Sequence, residues 1–299
     1  MAHQASQEAE QGALVPGISP SVYSPSDFAR ISTLVQREAG IVLNDRKQML
    51  AYTRLAPLVR RSGLGTFAQY LDRIEREPKL AAKVIAALTT NHTYFNREPH
   101  HFEHFTKKVR ANLISRAERG ETVRLWSAGC SSGEEVWTLL MVLLGEDRST
   151  GQRLAQRKII ALASDLADHA VEAARLAIYP ADALEPMPEQ LRRNWCEKAG
   201  NGDEGKDQLS ITQELRRMVR FRQLNLLRPW PFSNLFDVIF CRNVMIYFDQ
   251  PAKEQLVLAL ARQLRPGGTL YIGHSERVSG EATALLDPVG PTIYQRRAT

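Results

Sequence analysis

Cysteine is scarce. Cys130, Cys196 and Cys241 are the only three in 299 residues, too few and too scattered for a disulfide framework or a four-cysteine zinc site. Long apolar runs are missing too. The longest, residues 136–144, falls well short of the roughly 20 residues that span a bilayer, and it follows Glu134 and Glu135. The segment Met1–Gln11 is polar and lacks the apolar stretch of a signal peptide. Together these absences lead us to expect a reducing, cytoplasmic setting and a protein that is not itself a membrane protein. Charge of one sign is in small excess: 39 Lys and Arg against 33 Asp and Glu leave +6, which permits an acidic partner and says little for nucleic acid. No Gly-Lys-Ser/Thr phosphate loop and no complete dinucleotide fingerprint is present. His100 and His104 stand four apart, but no further ligands cluster with them, so no metal is expected and a solvated helix face is the better reading.

What is there suits a globular chain, with 43% hydrophobic and 24% charged residues. Residues 1–20 are polar, end in Pro16, Gly17 and Pro20, and read as a flexible tail. Residues 21–90 read as a helical domain. Ser26 or Asp27 can cap a helix carrying Phe28, Ile31, Leu34 and Val35, with Gly40 closing it. A second helix is predicted over 45–61, with Pro57 inside it. Two more carry Phe67, Tyr70, Leu71 and Ile74, then Leu80, Val84, Ile85 and Leu88.

Beyond about Thr122 the texture changes. Strand-like runs at 123–128, 159–164, 219–226, 237–241 and 270–273 alternate with helical stretches at 134–144, 167–177 and 252–264. Alternating β and α elements imply a mainly parallel sheet covered by helices, so residues 91–299 read as an α/β domain. Residues 180–218 break the alternation and read as a small β insertion containing a hairpin.

Four segments carry chemistry. The run Trp126-Ser-Ala-Gly-Cys-Ser-Ser-Gly-Glu-Glu135 is a strand entering a glycine turn and a helix, a geometry that suits a nucleotide-like cofactor. Its two glutamates repel a phosphate and suit a ligand with a cationic end or hydroxyls. Asp165 ends the next strand, where an acidic residue can accept ribose hydroxyls, or equally cap the following helix. Adenosine without a diphosphate loop points to S-adenosylmethionine. The run from Asp237 to Phe248 delivers Cys241, Arg242, Asn243 and then Tyr247 to the same sheet edge. The run from Leu88 to Phe105 lies at the domain junction and includes Arg97, which can orient a carboxylate.

In this order the segments resemble the chemotaxis receptor methyltransferases, the CheR family. The similarity lies in 90–98, 126–135, 163–165, 225–227 and 240–248, with Leu264-Arg-Pro-Gly-Gly268 and Gly273-His-Ser-Glu276, and it covers about Phe28 to Tyr294. The resemblance implies a Rossmann-like S-adenosylmethionine-dependent methyltransferase domain with a β insertion, preceded by a helical bundle. It implies methylation of glutamate side chains on the cytoplasmic helices of methyl-accepting chemoreceptors, leaving glutamate methyl esters and S-adenosylhomocysteine. By the same resemblance Asn91, Thr93, Arg97, Glu135, Asp165, Asn225, Leu226, Arg242 and Asn243 contact the cofactor. Arg97 and Tyr247 stand near the transferred methyl and the substrate carboxylate. Lys47, Arg54 and Arg60 form a basic face for an acidic receptor helix. Some members dock a receptor's C-terminal pentapeptide on the β insertion; the region between Trp195 and Leu215 is about three residues longer here, which argues against tail docking.

Two other classes compete. The basic balance suggests a nucleic-acid methyltransferase, yet the Asn/Asp-Pro-Pro-aromatic motif and the Pro-Cys nucleophile are both missing. A catalytically silent cofactor-binding scaffold requires departures at Arg97, Asp165, Asn243 or Tyr247, and none is found.

Overall fold

The computed structural model describes residues 15–89, 92–201 and 207–298. The chain divides into two compact units, one of Met1–Thr90 with Tyr247–Ala252, the other of Asn91–Ile246 with Lys253–Thr299. Residues 1–14 of the expected tail lie outside the described residues.

In the first unit, helices span Pro25–Ala39, Gln48–Arg61, Phe67–Arg76 and Pro78–Leu88. The first begins earlier than its periodicity suggests. Ser24 is the cap, Pro25 opens the helix, and Asp27 closes a capping box by accepting from the Ser24 amide at 2.9 Å. The buried faces carry Phe28, Ile31, Val35, Leu55, Val59, Phe67, Leu71, Ile74 and Val84. A single 3₁₀ turn, Asp45–Lys47, precedes the second helix, so Lys47 lies before that helix and not on its regular face.

The second unit is built on strands β1 (Val123–Ala128), β2 (Ile159–Asp165), β3 (Ile178–Pro180), β4 (Cys196–Asn201), β5 (Asp207–Ile211), β6 (Val219–Gln223), β7 (Phe236–Cys241), β8 (Leu264–Ile272), β9 (Leu286–Gly290) and β10 (Ile293–Arg296). The main sheet has the order β6-β2-β1-β7-β8-β10-β9. Strands β6, β2, β1, β7 and β8 are parallel, while β10 runs antiparallel to both β8 and β9. From β1 the chain winds outward through β2 to β6, then returns to β7 on the other side. The switch point therefore lies between the carboxyl ends of β1 and β7, where open α/β sheets bind ligands. Strands β1 and β7 are almost wholly buried, as parallel strands covered on both faces must be.

The predicted strands sit close to their expected places, with two differences. β6 stops at Gln223, because the Leu224 amide turns back to the Asp165 carbonyl. β8 begins at Leu264, before the Pro-Gly-Gly, and a register shift opposite Phe236–Val238 absorbs that irregular stretch. The insertion is larger than a hairpin. β3, β5 and β4 form a three-stranded antiparallel sheet in the order β3-β5-β4; helix Glu189–Trp195 leads into β4, and helix Gln213–Met218 leads from β5 to β6. Residues 202–206, on which the loop-length reading rests, lie outside the described residues.

Candidate active site

The turn after β1 is shaped by close approach. Gly129 has φ +85°, and a Cβ on it would fall 2.3 Å from Val244 Cγ2. Gly133, φ +100°, precedes the Glu134–Leu144 helix. That helix is buried on nearly every side, including both of its glutamates. An entirely buried helix must be apolar all round or have its charges answered, and here the answers are specific.

Glu135 accepts from Ser127 Oγ at 2.6 Å and from Arg242 Nε at 2.7 Å. Arg242, buried as well, donates through Nη1 to the Arg97 carbonyl at 2.6 Å and lies 3.7 Å from Glu98 Oε2. The same Nη1 stands 3.3 Å from His101 Nδ1, and His101 Nε2 stands 2.9 Å from Thr292 Oγ1. Thr292 donates its own hydroxyl to the Pro291 carbonyl, and His101 Nδ1 also lies 3.3 Å from Glu98 Oε2, so the ring sits between Arg242 and Glu98. Burial, then the Arg242 charge, hold His101 down at about 3, so it is neutral. Glu98 Oε1 accepts from His274 Nδ1 at 3.0 Å.

Asp165 ends β2 almost fully buried. Its Oδ2 accepts from the Ser131 amide and its Oδ1 from the Ala167 amide, each at 2.9 Å. Asp165 thereby shapes the turn leading into the Asp168–Leu176 helix, whose N-cap is Ala167, and ties that turn to the glycine loop. Burial pushes its carboxyl above the usual range, opposed by those amides. Burial does the same to Glu134.

Arg242 and Asn243 follow β7. Asn243 has φ +59°, strained for a side chain bearing a Cβ. It is held there by its amide, which donates to Glu276 Oε2 at 3.2 Å, and by Nδ2, 3.4 Å from Glu98 Oε1. Glu276 also accepts from the amides of Met245 at 2.8 Å and Gly273 at 2.6 Å, stapling the ends of β7 and β8 together. The Asn243 Oδ1 is buried without a hydrogen-bond partner.

The structure brings Arg97, Glu135, Asp165, Arg242 and Asn243 to the carboxyl edge of the sheet or to groups bonded to it. Asn225 and Leu226 lie past β6 at the same edge, half-buried, with Asn225 Oδ1 accepting from the Leu227 amide at 2.9 Å. Thr93 is half-buried in the stretch before Phe95, and Asn91 lies outside the described residues. Arg97 donates to the His92 carbonyl at 2.8 Å and lies over the Tyr94 ring at 5.7 Å; no carboxylate pairs with it among the described residues. Tyr247 belongs to the first unit, where its carbonyl accepts from the Val42 amide at 2.9 Å. Lys47 and Arg60 are exposed, whereas Arg54 is half-buried and donates to the carbonyls of Leu88 and Thr89, both at 2.9 Å.

Glu98, His101 and Glu276 were given no role from sequence. His101 had a signal: it shares helical spacing with Phe102 and Phe105, both buried. The neighbouring His104 contacts Tyr271 Oη at 3.0 Å. No group of three His, Cys, Asp or Glu is placed to hold a metal among the described residues.

The residues fit S-adenosylmethionine. Buried carboxylates whose ionisation is disfavoured gain from a bound cation, and the cofactor carries two, a sulfonium and an ammonium. The orphaned Asn243 Oδ1 needs a donor, which an ammonium supplies. When bound, the cofactor supplies an electrophilic methyl group on sulfur.

Comparison with known proteins agrees. Residues 91–294 match the family described as "CheR methyltransferase, SAM binding domain", and residues 26–89 match "CheR methyltransferase, all-alpha domain". A probable chemotaxis protein methyltransferase of Rhizobium etli is 38% identical over 264 residues, covering 88% of this chain and 96% of that one. The chemotaxis protein methyltransferase of Escherichia coli is 37% identical over 260 residues, 86% of each chain. Among solved structures, the N-methyltransferase NodS of Bradyrhizobium japonicum aligns with a TM-score of 0.32 at 14% identity, over 68% of this chain and 99% of that one. No helix among the described residues is long and apolar enough to cross a membrane. The chain belongs to the CheR methyltransferase family, with an all-α domain followed by an S-adenosylmethionine-binding methyltransferase domain.

Proposed function

We propose that this enzyme methylates glutamate side chains on the cytoplasmic helices of chemoreceptors, giving glutamate methyl esters. The observation that carries the reading is Arg97, a guanidinium with no carboxylate partner among the described residues, fixed through its own backbone to the buried Arg242–Glu135 pair. A glutamate carboxylate has an ordinary pKa of about 4.3, so at neutral pH it is already a nucleophile and no general base is needed. What the protein must do is orient it. A guanidinium can hold one carboxylate oxygen by a charge-assisted hydrogen bond while leaving the other free to attack. Tyr247 adds a neutral donor in this reading. Exposed Lys47 and Arg60 engage the acidic receptor helix. Arg54, occupied with the Leu88 and Thr89 carbonyls, fixes the end of the helix beside them. A receptor tail is not required.

The test is transfer of labelled methyl from S-adenosylmethionine to receptor-containing membranes and, in parallel, to tRNA. Label on the receptors, lost in Arg97→Ala and little restored in Arg97→Lys, is expected, because a point charge does not reproduce the guanidinium fork. Label on tRNA alone selects the nucleic-acid alternative. Cofactor binding without turnover on either substrate selects the silent scaffold.

A further inference from the structure

At the end of the main sheet farthest from β9, strand β6 pairs with β2, and no strand among the described residues pairs with its other edge. A groove of about 450 Å³ runs along it, lined by Arg175, Arg216, Val219, Arg220, Phe221 and Arg222. Four of its six lining residues are arginines, and all four are exposed. Arg175 pairs with Glu172 at 3.0 Å. Arg216, Arg220 and Arg222 have no carboxylate partner among the described residues. Their guanidiniums rest instead on nearby backbone: Arg216 on the Arg175 carbonyl at 3.5 Å, Arg220 on those of Arg217 and Val219 at 2.8 and 3.1 Å, and Arg222 on that of Phe221 at 2.7 Å. Each of these three uses one nitrogen so, leaving most of its five N–H donors available.

We propose that this groove binds an acidic, extended segment of a partner protein through its carboxylates. Arg220 and Arg222 are two residues apart on one strand, hence on one face and about 6.6 Å apart along it. An extended peptide repeats its same-face side chains at that same interval, so a Glu-x-Glu pattern meets the two guanidiniums in register. Arg216 and Arg175 extend the positive surface beyond the strand. The recognition is by side chains, not by addition of a strand, because the guanidiniums already occupy the Val219 and Phe221 carbonyls. Guanidiniums bind phosphate as readily as carboxylate, so the preference for an extended acidic peptide rests on the strand spacing of Arg220 and Arg222, and a compact phosphate is the comparator that tests it.

The experiment uses the full chain and a fluorescently labelled peptide of alternating Glu and Ser. Its comparators are a peptide with Gln for Glu, a single-stranded oligothymidylate and pyrophosphate. The expected result is saturable binding of the acidic peptide that weakens at least tenfold between 50 and 500 mM salt. Arg220→Glu with Arg222→Glu should reduce it at least tenfold, and so should Arg175→Glu with Arg216→Glu, which spares the strand. Circular dichroism verifies that each variant is folded. Absence of binding at millimolar peptide, equal binding of the Gln peptide, indifference to both variant pairs, or preference for the oligonucleotide or pyrophosphate would each overturn the proposal.

Discussion

Asp165 is first a structural carboxylate: its two oxygens hold the Ser131 and Ala167 amides. If it also accepts ribose hydroxyls, as the resemblance implies, removing it has a consequence beyond the turn. Asp165→Ala should therefore weaken S-adenosylmethionine binding by tenfold or more, at about 1.5–3 kcal/mol for each hydrogen bond to a charged group. Calorimetry that finds unchanged affinity in a folded variant would reduce Asp165 to a turn residue. His101 makes a prediction of a different kind. Its folded value is about 3, against an ordinary 6.5, so the folded protein keeps it neutral while the unfolded chain takes up a proton below 6.5. Its contribution to stability is complete above about pH 6.5 and is lost as pH falls toward 3. Urea denaturation between pH 7 and pH 5 should show a shallower loss of stability for His101→Gln than for the wild type. Glu98 and Arg242 are retained in both proteins, so the comparison isolates the imidazole. Parallel pH dependences would show that His101 does not titrate as described.

At the scale of elements, the turn after β1 is held by contact between neighbours. A methyl on Gly129 meets Val244 and also requires φ +85°. Gly129→Ala should cost about 1–3 kcal/mol or more. Adding Val244→Ala should recover part of that loss by removing the clash and leave the backbone strain. Full recovery in thermal or chemical denaturation would show that φ at this position carries no cost. This turn was legible in the sequence because Gly129 and Gly133 punctuate a strand running into a helix. The parallel strands were legible for a related reason: strands buried on both faces are continuous apolar runs, as in Val238–Phe240. The insertion was only half legible, since a glycine-rich stretch marks a hairpin but not the third strand, β3, which pairs with β5 across intervening helices. The buried network was not legible. His101 meets Thr292 across 191 positions and Arg242 across 141, and no local pattern encodes such partners. Nor was the setting of Arg54 legible: its spacing suits an outward basic face, and only the structure shows its bonds to the Leu88 and Thr89 carbonyls.

For the whole molecule, the all-α domain and the cofactor-binding domain together place this chain in a family of S-adenosylmethionine-dependent enzymes. Its buried carboxylates and its orphaned Asn243 acceptor suit a cationic cofactor. The central claim is the product, a methyl ester on receptor glutamate. The most direct measurement is mass spectrometry of the host's chemoreceptors, isolated with and without this protein and with receptors carrying or lacking their C-terminal tails. The account predicts glutamate residues 14 Da heavier, about the mass of one added CH₂, only when the protein is present, on both tailed and tail-deleted receptors. Receptors with identical glutamate masses in the presence and absence of the protein would contradict it.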